Sequence, residues 1–345
     1  MTSEGASGGV DGAVGSARDG AVGGAAATGP VAFIGLGHMG APMAANLARA
    51  GVDVRGFDLS AEAVAHAREA GVPIAASAAE AVAGARVVIT MLPVGRHVLS
   101  AYSGSGDGDG RGDAGLLAMA APGTLFVECS TIAVDDARQA HDLAIAAGHR
   151  SIDAPVSGGV MGAEAATLAF MVGGADADVA EARPLLEAMG RRVVHCGGPG
   201  LGQAAKVCNN MILGVSMIAV SEAFVLGERL GLTHNALFEV AANASGQCWA
   251  LTTNCPVPGP VPASPANRDY QPGFASALMA KDLDLAAQAI ASTGVHAEAG
   301  SLAAQIYARF AEGDGAMRDF SAIITDIRER SLTTDGSGER GEGAS

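Results

Sequence analysis

Short apolar runs alternate with stretches of helical composition along the first 195 residues. The apolar run Val31–Ile34 predicts the first strand, and Asp176–Met189 predicts a helix. Further strands are predicted by the apolar runs at 52–57, 86–92, 124–128, 151–153, 168–172 and 192–195. Strands and helices that alternate in this way are typical of a doubly wound parallel sheet with helices on both faces.

A different pattern begins at Gly198. Apolar residues recur at three- and four-residue spacings as far as Gly231, with no helix breaker after Gly202. This pattern predicts one long and mostly buried helix that joins the two halves of the chain. Beyond it the pattern stays helical, apart from a proline-rich stretch at 255–272 that predicts an ordered or semi-ordered loop. A helix over 274–290 follows.

The first strand leads directly into a glycine motif, Gly35-Leu36-Gly37-His38-Met39-Gly40. A helical stretch and a second strand that ends at Asp58 follow, 23 residues after Gly35. Strand, motif, helix, strand and acid together indicate a dinucleotide-binding unit, in which the pyrophosphate lies on the helix N-terminus. The Asp58 carboxylate suits a ribose 2'-hydroxyl and would repel a 2'-phosphate, so we predict NAD as the cofactor. The alternative is a glycine-rich turn without a ligand.

Other candidate site residues follow later strands. Ligands of such sheets bind beyond the carboxyl ends of the strands, which places Pro93 and Thr131 at the cofactor crevice. The turn Ser157-Gly158-Gly159 precedes a helical stretch. It offers a hydroxyl and backbone N–H groups to a carboxylate, or it is an ordinary N-cap serine with turn glycines. The sequence leaves both interpretations open.

Two polar residues interrupt the apolar face of the long helix. Lys206 and Asn210 are four residues apart and therefore neighbours on one face. Among 21 basic residues only Lys206 and Lys281 are lysine. A bias toward arginine should spare a lysine whose chemistry arginine cannot supply, and only lysine loses its proton on burial. We therefore predict that Lys206 is a proton-transfer group in a cleft, the alternative being a lysine that extends to water.

The net charge of -15 excludes several classes of partner. It argues against nucleic acid and against anionic membranes, and an anionic substrate must be held by local donors. No apolar run reaches the ~20 residues of a membrane span, and the acid-containing N-terminal segment is unlike a signal peptide. We predict a cytoplasmic protein. The five cysteines include no CxxC pair, which indicates reduced core thiols and no metal site, with His195 beside Cys196 structural.

We predict an α/β fold with an N-terminal Rossmann-type doubly wound sheet and an all-α C-terminal domain, joined by the long interdomain helix. The predicted boundaries are a disordered tail at 1–29, the NAD-binding domain at 30–195, the helical domain with the interdomain helix at 196–330, and a second disordered tail at 331–345. The glycine- and aspartate-rich stretch at 103–115 predicts a mobile surface loop.

The motifs together resemble the beta-hydroxyacid dehydrogenase family over residue 31 to about residue 329. They read FIGLGHMGAPMAANL, MLP, CST, DAPVSGGVMGAEAATLAFMVGG, GQAAKVCNNM and LMAKDL. The resemblance implies that Lys206 is catalytic, that Asn210 orients the substrate and that Ser157, Gly158 and Gly159 hold its carboxylate. The cofactor contacts that it implies are Gly35, Leu36, Gly37, His38, Met39, Gly40, Asp58, Leu92, Pro93, His97, Thr131 and Lys281. His97 departs from the family, which has asparagine there.

The stretch at 246–274, which contains Trp249, resembles members that oxidise (S)-3-hydroxyisobutyrate to methylmalonate semialdehyde in valine catabolism. The alternatives are other members that act on 3-hydroxypropionate, L-serine or tartronate semialdehyde. A non-catalytic dinucleotide-binding module and an imine reductase are less favoured, because such relatives lose the lysine at position 206. The resemblance also implies a homodimer or homotetramer.

Overall fold

The computed structural model describes residues 29–104 and 114–335. Its N-terminal half is a sheet with helices on both faces. The strands are β1 (Val31–Ile34), β2 (Val54–Phe57), β3 (Val87–Thr90), β4 (Leu125–Glu128), β5 (Arg150–Asp153), β6 (Val156–Ser157), β7 (Leu168–Gly173) and β8 (Gly190–Gly197). The helices are α1 (Gly40–Arg49), α2 (Ala61–Glu69), α3 (Ala78–Val82), α4 (Gly95–Ser103), α5 (Leu116–Met119), α6 (Val134–Ala146), α7 (Gly159–Glu164) and α8 (Asp176–Met189).

The strand order is β2-β1-β3-β4-β5-β7-β6, with β8 beside β7. Strands β1 to β5 are parallel, whereas β7 is antiparallel to both β5 and β6. The predicted Rossmann-type architecture is confirmed, but the prediction of a parallel sheet is wrong at this end. Only ten residues separate β6 from β7. A parallel neighbour needs a crossover of about a dozen residues or more, so the chain turns back antiparallel.

Strand β1 shows why its sequence is continuously apolar. Val31 and Phe33 pack into the core on one face of the sheet, and Ala32 and Ile34 pack into the core on the other. All four residues are at most 6% exposed. A strand that is covered by helices on both faces needs apolar side chains at every position.

The C-terminal half is helical in the described residues. Its helices are α9 (Leu201–Arg229), α10 (His234–Ala242), α11 (Trp249–Thr252), α12 (Ser276–Thr293), α13 (Glu298–Ala311) and α14 (Ile323–Asp335), with 3-10 turns at Pro265–Arg268 and Phe320–Ala322. Helix α9 is the predicted long helix. It packs against β7 at its start and against α12, α13 and α14 further along.

Helix α9 is also long and apolar enough to cross a membrane, contrary to the expectation from the sequence. Half of its most apolar window is buried inside the protein. A core helix of a soluble protein passes the same test of length and composition. Burial of α9 against its neighbouring helices accounts for the buried half of this window.

The proline-rich stretch is an ordered loop. The Ser264 hydroxyl donates to the Cys255 carbonyl at 2.5 Å, and the Tyr270 hydroxyl donates to the Pro256 carbonyl at 2.8 Å. These bonds close the loop on itself, since proline leaves few backbone donors for it.

Parts of the predicted tails and surface loop lie outside the described residues. These parts are 1–28, 105–113 and 336–345. Helix α14 continues to Asp335, so the segment predicted as a tail from 331 begins with a further helical turn. The composition turns to glycine and serine only at Gly336, which is why the helix extends further than predicted.

Asp153 connects the two halves where α9 leaves the sheet. This buried carboxylate ends β5 and accepts hydrogen bonds from the backbone N–H groups of Gly200 at 2.7 Å and Gln203 at 2.8 Å. The N–H groups at a helix N-terminus need acceptors, and a carboxylate there also interacts favourably with the positive end of the helix dipole. Gly202 permits the contact, because a Cβ at that position would lie 2.4 Å from the Met171 carbonyl oxygen.

We predict that Asp153→Ala lowers the free energy of unfolding by about 2–4 kcal/mol, because it leaves two buried N–H groups without acceptors. Urea denaturation followed by circular dichroism measures this loss. Asp135→Ala is the control, since Asp135 lies in the first turn of α6 with its side chain 77% exposed. That change should cost less than about 1 kcal/mol. Equal losses in the two variants would contradict the role of Asp153.

Candidate active site

The glycine motif forms a turn between β1 and α1 with space above it. Gly35 has a φ of +96°, and a Cβ there would lie 2.3 Å from the Met91 carbonyl oxygen. A Cβ at Gly40 would lie 1.9 Å from the carbonyl oxygen of Gly35. A Cβ on Gly37, by contrast, would have no neighbour within 4 Å, and no side chain caps the N-terminus of α1. A pyrophosphate fits this open, uncapped helix end.

Asp58 lies beside this turn at the end of β2. One carboxylate oxygen accepts the backbone N–H of Leu36 at 2.7 Å, and the other accepts that of Ser60 at 2.7 Å. Asp58 therefore fixes the glycine-rich turn against β2, a contribution that the sequence interpretation did not foresee. Leu59, the next residue, is 93% exposed and carries no positive charge that could hold a 2'-phosphate.

The loops after β3 and β4 meet at the same edge of the sheet. The backbone N–H of Leu92 donates to the Ser130 hydroxyl at 2.7 Å, which brings Leu92 and Pro93 close to Thr131. Pro93 is exposed and Thr131 is half-buried. His97 lies exposed in the first turn of α4, shortly after Pro93, and His38 lies exposed in the glycine turn.

Lys281 joins the helical half to one of these loops. It extends from α12, and its Nζ donates to the carbonyl of Pro93 at 2.8 Å. Burial lowers the pKa of this lysine, and the neighbouring Asp282 opposes that shift. The scarcity of lysine therefore marked a residue that bridges the two halves.

Lys206 is buried near the start of α9, with 7% of the residue exposed. Its Nζ lies 4.0 Å from a carboxylate oxygen of Asp282. Burial lowers the pKa of Lys206, and the positive charge of Lys281 adds to this shift, whereas Asp282 opposes it. The alternative of a lysine that extends to water is wrong, because the amine is enclosed.

Asn210 and Asp282 complete the cluster around this amine. The Asn210 side chain donates to Asp282 at 2.5 Å and accepts from Asn209 at 3.0 Å. Burial also raises the pKa of Asp282, against the opposing effects of the two lysines and the Asn210 hydrogen bond. Burial thus favours the neutral form of both Lys206 and Asp282.

Asp282 is a site residue that sequence reasoning missed. Its signal was present, because an acid in an apolar helix needs a partner, and this one follows one of the two lysines. The partner could not be identified, since Asn210 is 72 residues away along the chain.

The Ser157–Gly159 turn follows the short strand β6. Gly158 and Gly159 have φ values of +135° and +61°. The N-cap of α7 is Gly158, without a side-chain cap, so the interpretation of Ser157 as an ordinary N-cap is wrong. A Cβ on Gly159 would lie 2.9 Å from the carbonyl oxygen of Gly273, which precedes α12. The turn therefore also meets the helical half.

Gln203 connects the loops after β3 and β4, called the cofactor loops below, to the turn of helix α9 that carries Lys206. Its side-chain amide donates to the Ser130 carbonyl at 2.7 Å and accepts the backbone N–H of Ile132 at 3.2 Å. Lys206 follows three residues later on α9. The structure thus connects Lys206, Asn210 and Lys281 to the loops that hold Leu92, Pro93 and Thr131, while His38 and His97 remain at the exposed rim.

The remaining histidine and cysteine predictions have mixed outcomes. His195 Nε2 is 2.9 Å from the Gly174 carbonyl oxygen, which fits its structural interpretation. All five cysteines are free, but Cys208 is exposed, so the description of them all as core thiols is wrong. Within 29–104 and 114–335, no three His, Cys, Asp or Glu side chains form a group that could hold a metal ion.

Two family models match adjacent parts of the chain. The NAD binding domain of 6-phosphogluconate dehydrogenase matches residues 30–198. The NAD-binding domain of NADP-dependent 3-hydroxyisobutyrate dehydrogenase matches residues 200–327. The boundary between the two matches falls immediately before α9.

Known proteins resemble the chain over almost their whole length. A probable 3-hydroxyisobutyrate dehydrogenase of Mycobacterium tuberculosis is 56% identical over 300 residues, which is 87% of this chain and 98% of the relative. The NAD-dependent L-serine dehydrogenase of Pseudomonas aeruginosa is 49% identical over 293 residues, covering 85% and 96%. A solved structure of the M. tuberculosis 3-hydroxyisobutyrate dehydrogenase with L-serine superposes with a TM-score of 0.81 at 56% identity, covering 87% and 99%. The chain therefore belongs to the 3-hydroxyisobutyrate dehydrogenase family of NAD-binding oxidoreductases.

Proposed function

We propose that this protein oxidises (S)-3-hydroxyisobutyrate to methylmalonate semialdehyde, a step of valine catabolism. The observation that carries the proposal is the enclosed amine of Lys206, whose pKa is lowered by burial. It lies in the helix turn that Gln203 joins to the cofactor loops. Enzymes obtain general acid and base groups by shifting pKa values toward the working pH in this way.

Lys206 is the proposed acid and base of the reaction. An ordinary lysine with a pKa of about 10.4 is almost wholly protonated at neutral pH, so burial increases the fraction of free amine. Bound NAD supplies the acceptor for the hydride that leaves the alcohol carbon. During oxidation of the alcohol, the Lys206 amine takes the hydroxyl proton. During reduction of the aldehyde, the Lys206 ammonium returns it.

Asn210 and Asp282 are proposed to place the reacting hydroxyl and the amine. One N–H of the Asn210 amide is used by Asp282, which leaves the other for the substrate oxygen. Asp282 keeps a negative charge 4.0 Å from Nζ when it is ionised, and so limits how far the lysine pKa falls. The pair therefore orients the base and tunes it.

Ser157, Gly158 and Gly159 are proposed to hold the substrate carboxylate. The net charge of -15 repels an anion at long range, so local donors have to provide the attraction. The turn offers one hydroxyl and two backbone N–H groups, and it lies against Gly273 of the helical half. A substrate bound there would contact both halves of the protein.

L-Serine is the second candidate substrate. It is the substrate for which the P. aeruginosa relative is named, and it is the molecule bound in the M. tuberculosis structure. Both candidates have a primary alcohol two carbons from the carboxylate, and they differ in a methyl or an ammonium group on the middle carbon. Hydroxyisobutyrate is preferred here because the stretch at 246–274, with Trp249, resembles that of members that oxidise this substrate.

We also propose a cytoplasmic homodimer or homotetramer. Five unpaired cysteines suit a reducing compartment. Large apolar side chains, among them Ile212 and Leu226 of α9, are 64% and 60% exposed. Burial of such side chains against a second copy of the chain would stabilise an oligomer.

We predict that Lys206→Arg lowers kcat by roughly a thousandfold, because the guanidinium keeps its proton. Its dissociation constant for NAD, measured by titration calorimetry, should stay within about twofold of the wild-type value. Cys208→Ser is the matched control on the same helix, where the side chain is exposed, and it should retain full activity. A Lys206→Arg enzyme with more than about a tenth of the wild-type kcat would contradict the role of the amine.

The pH profile of alcohol oxidation should show the state of Lys206. Since the free amine is the base, kcat/KM should rise with pH and level off below the usual lysine pKa of about 10.4. The charge of Asp282 raises the Lys206 pKa, so Asp282→Asn should move this rise to lower pH. Asp284→Asn, at an exposed position of α12, should leave it in place. If kcat/KM of Asp282→Asn rises at the same pH as the wild type or at a higher pH, Asp282 does not raise the pKa of the base.

The candidate substrates are compared by steady-state kinetics. NAD reduction is followed with (S)-3-hydroxyisobutyrate, L-serine and 3-hydroxypropionate, and NADH oxidation is followed with tartronate semialdehyde. We expect hydroxyisobutyrate to have the highest kcat/KM, by roughly tenfold or more over L-serine. NAD should be preferred over NADP, since Asp58 would repel the 2'-phosphate. Faster oxidation of L-serine would favour the second candidate. NAD binding without turnover of any of these compounds would indicate a non-catalytic module.

A further inference from the structure

A buried acid in the N-terminal half takes no part in the proposed mechanism. Glu128 is the last residue of β4 and is 2% exposed. In the sheet register it lies between Thr90 of β3 and Asp153 of β5. A buried carboxyl group is costly unless its oxygens are hydrogen-bonded, so its partners indicate why it is there.

Both oxygens of Glu128 have partners that begin the cofactor loops. One oxygen bonds the Thr90 hydroxyl at 2.5 Å, and the other accepts the backbone N–H of Ser130 at 2.6 Å. Thr90 is the last residue before the loop that contains Leu92, and Ser130 directly precedes Thr131. One carboxyl group therefore binds residues where both loops begin.

Ser130 extends this connection in two directions. Its hydroxyl accepts the backbone N–H of Leu92 at 2.7 Å, and its carbonyl accepts the side-chain amide of Gln203 at 2.7 Å. The first bond joins the loops after β3 and β4 to each other. The second joins them to α9, three residues before Lys206.

We propose that Glu128 is a positioning residue for NAD, which holds the loops after β3 and β4 in the geometry that the cofactor binds. The proposal depends on NAD binding, which the family establishes, and is independent of the substrate and of the role of Lys206. Its effect therefore appears in cofactor affinity, which can be measured without turnover.

The charge of Glu128 is suited to change near neutral pH. Burial raises its pKa to about 7, against hydrogen bonds from Ser130 and Thr90 that lower it, and nearby Asp153 raises it further. The other titratable groups beside it are Tyr102 of α4 and Cys129, the residue that follows β4, and burial raises the pKa of both. Ionised Glu128 accepts charge-assisted bonds, which are stronger than neutral ones, so the loops are held better above this pH.

Titration calorimetry of NAD with single variants tests the proposal. Glu128→Ala and Ser130→Ala should each raise the dissociation constant by roughly tenfold, because each removes a link that orders the Leu92 loop. The dissociation constant of the double variant should lie within about twofold of that of the weaker single variant. The two effects should not add, because Glu128 and Ser130 belong to the same chain of hydrogen bonds.

Thr124→Val is the matched control. Thr124 is a buried hydroxyl residue just before the opposite end of β4, where it donates to the Ala121 carbonyl at 2.7 Å. Its loss should lower the thermal unfolding temperature and leave NAD affinity unchanged. A loss of affinity in Thr124→Val equal to that in Ser130→Ala would overturn the proposal, because any buried polar change would then suffice.

Glu128→Gln cannot ionise and serves as the test if Glu128→Ala does not fold. Its amide oxygen can accept the Ser130 N–H, while its NH2 group donates to the Thr90 hydroxyl, so that bond runs in the opposite direction. At pH 6 this variant should bind NAD within about twofold of the wild type, whose Glu128 is then mostly neutral. Between pH 6 and pH 8 the wild type should gain several-fold in affinity relative to this variant. The same pH dependence in both proteins, or unchanged affinity in Ser130→Ala, would contradict the positioning role.

Discussion

The amine of Lys206 is enclosed where the helical half meets the sheet, and its burial limits how the neighbouring elements can be arranged. Moving an ammonium group out of water is unfavourable unless it is paired, and Lys206 has its carboxylate, Asp282, only at 4.0 Å. The result is a lysine whose pKa is lowered by burial. A lowered pKa means that burial destabilises the charged form, which brings no benefit to a structural lysine. A lysine that exchanges protons needs such a shift.

The two halves must stay in register for this cluster to exist. Lys206 and Asn210 come from α9, whereas Asp282 comes from α12. Asp153 binds the start of α9 to the sheet, and Lys281 binds α12 to the loop after β3. Asp153 and Lys281 therefore fix where Lys206 lies relative to the loop after β3.

The sequence predicted those parts of the fold whose cause is local. The continuous apolar runs of β1 and β3 reflect burial on both faces, and the Gly35–Gly40 motif reflects close backbone contacts that exclude a Cβ. The length of α9 followed from apolar periodicity alone. Lys206 and Lys281 were identified by their rarity, which is a compositional signal and needs no structure.

Features that depend on distant partners were beyond the sequence. The bond between Asp282 and Asn210 spans 72 residues, and the bond from the Leu36 N–H to Asp58 gives that acid a structural contribution beside its predicted one. The antiparallel pairing of β6 with β7 depends on the length of a short connection. Whether Ser157 caps a helix was equally undecidable, since the cap fell on Gly158.

The chain has only two lysines, so the protonation of Lys206 can be measured directly. Protein labelled with carbon-13 at the lysine Cε should give two titrating resonances, and their absence in Lys206→Arg and Lys281→Arg assigns them. We expect the Lys206 amine to titrate clearly below the ordinary lysine value of about 10.4, and Asp282→Asn to lower its pKa further. A Lys206 amine that titrates at or above that value would contradict its role as the base.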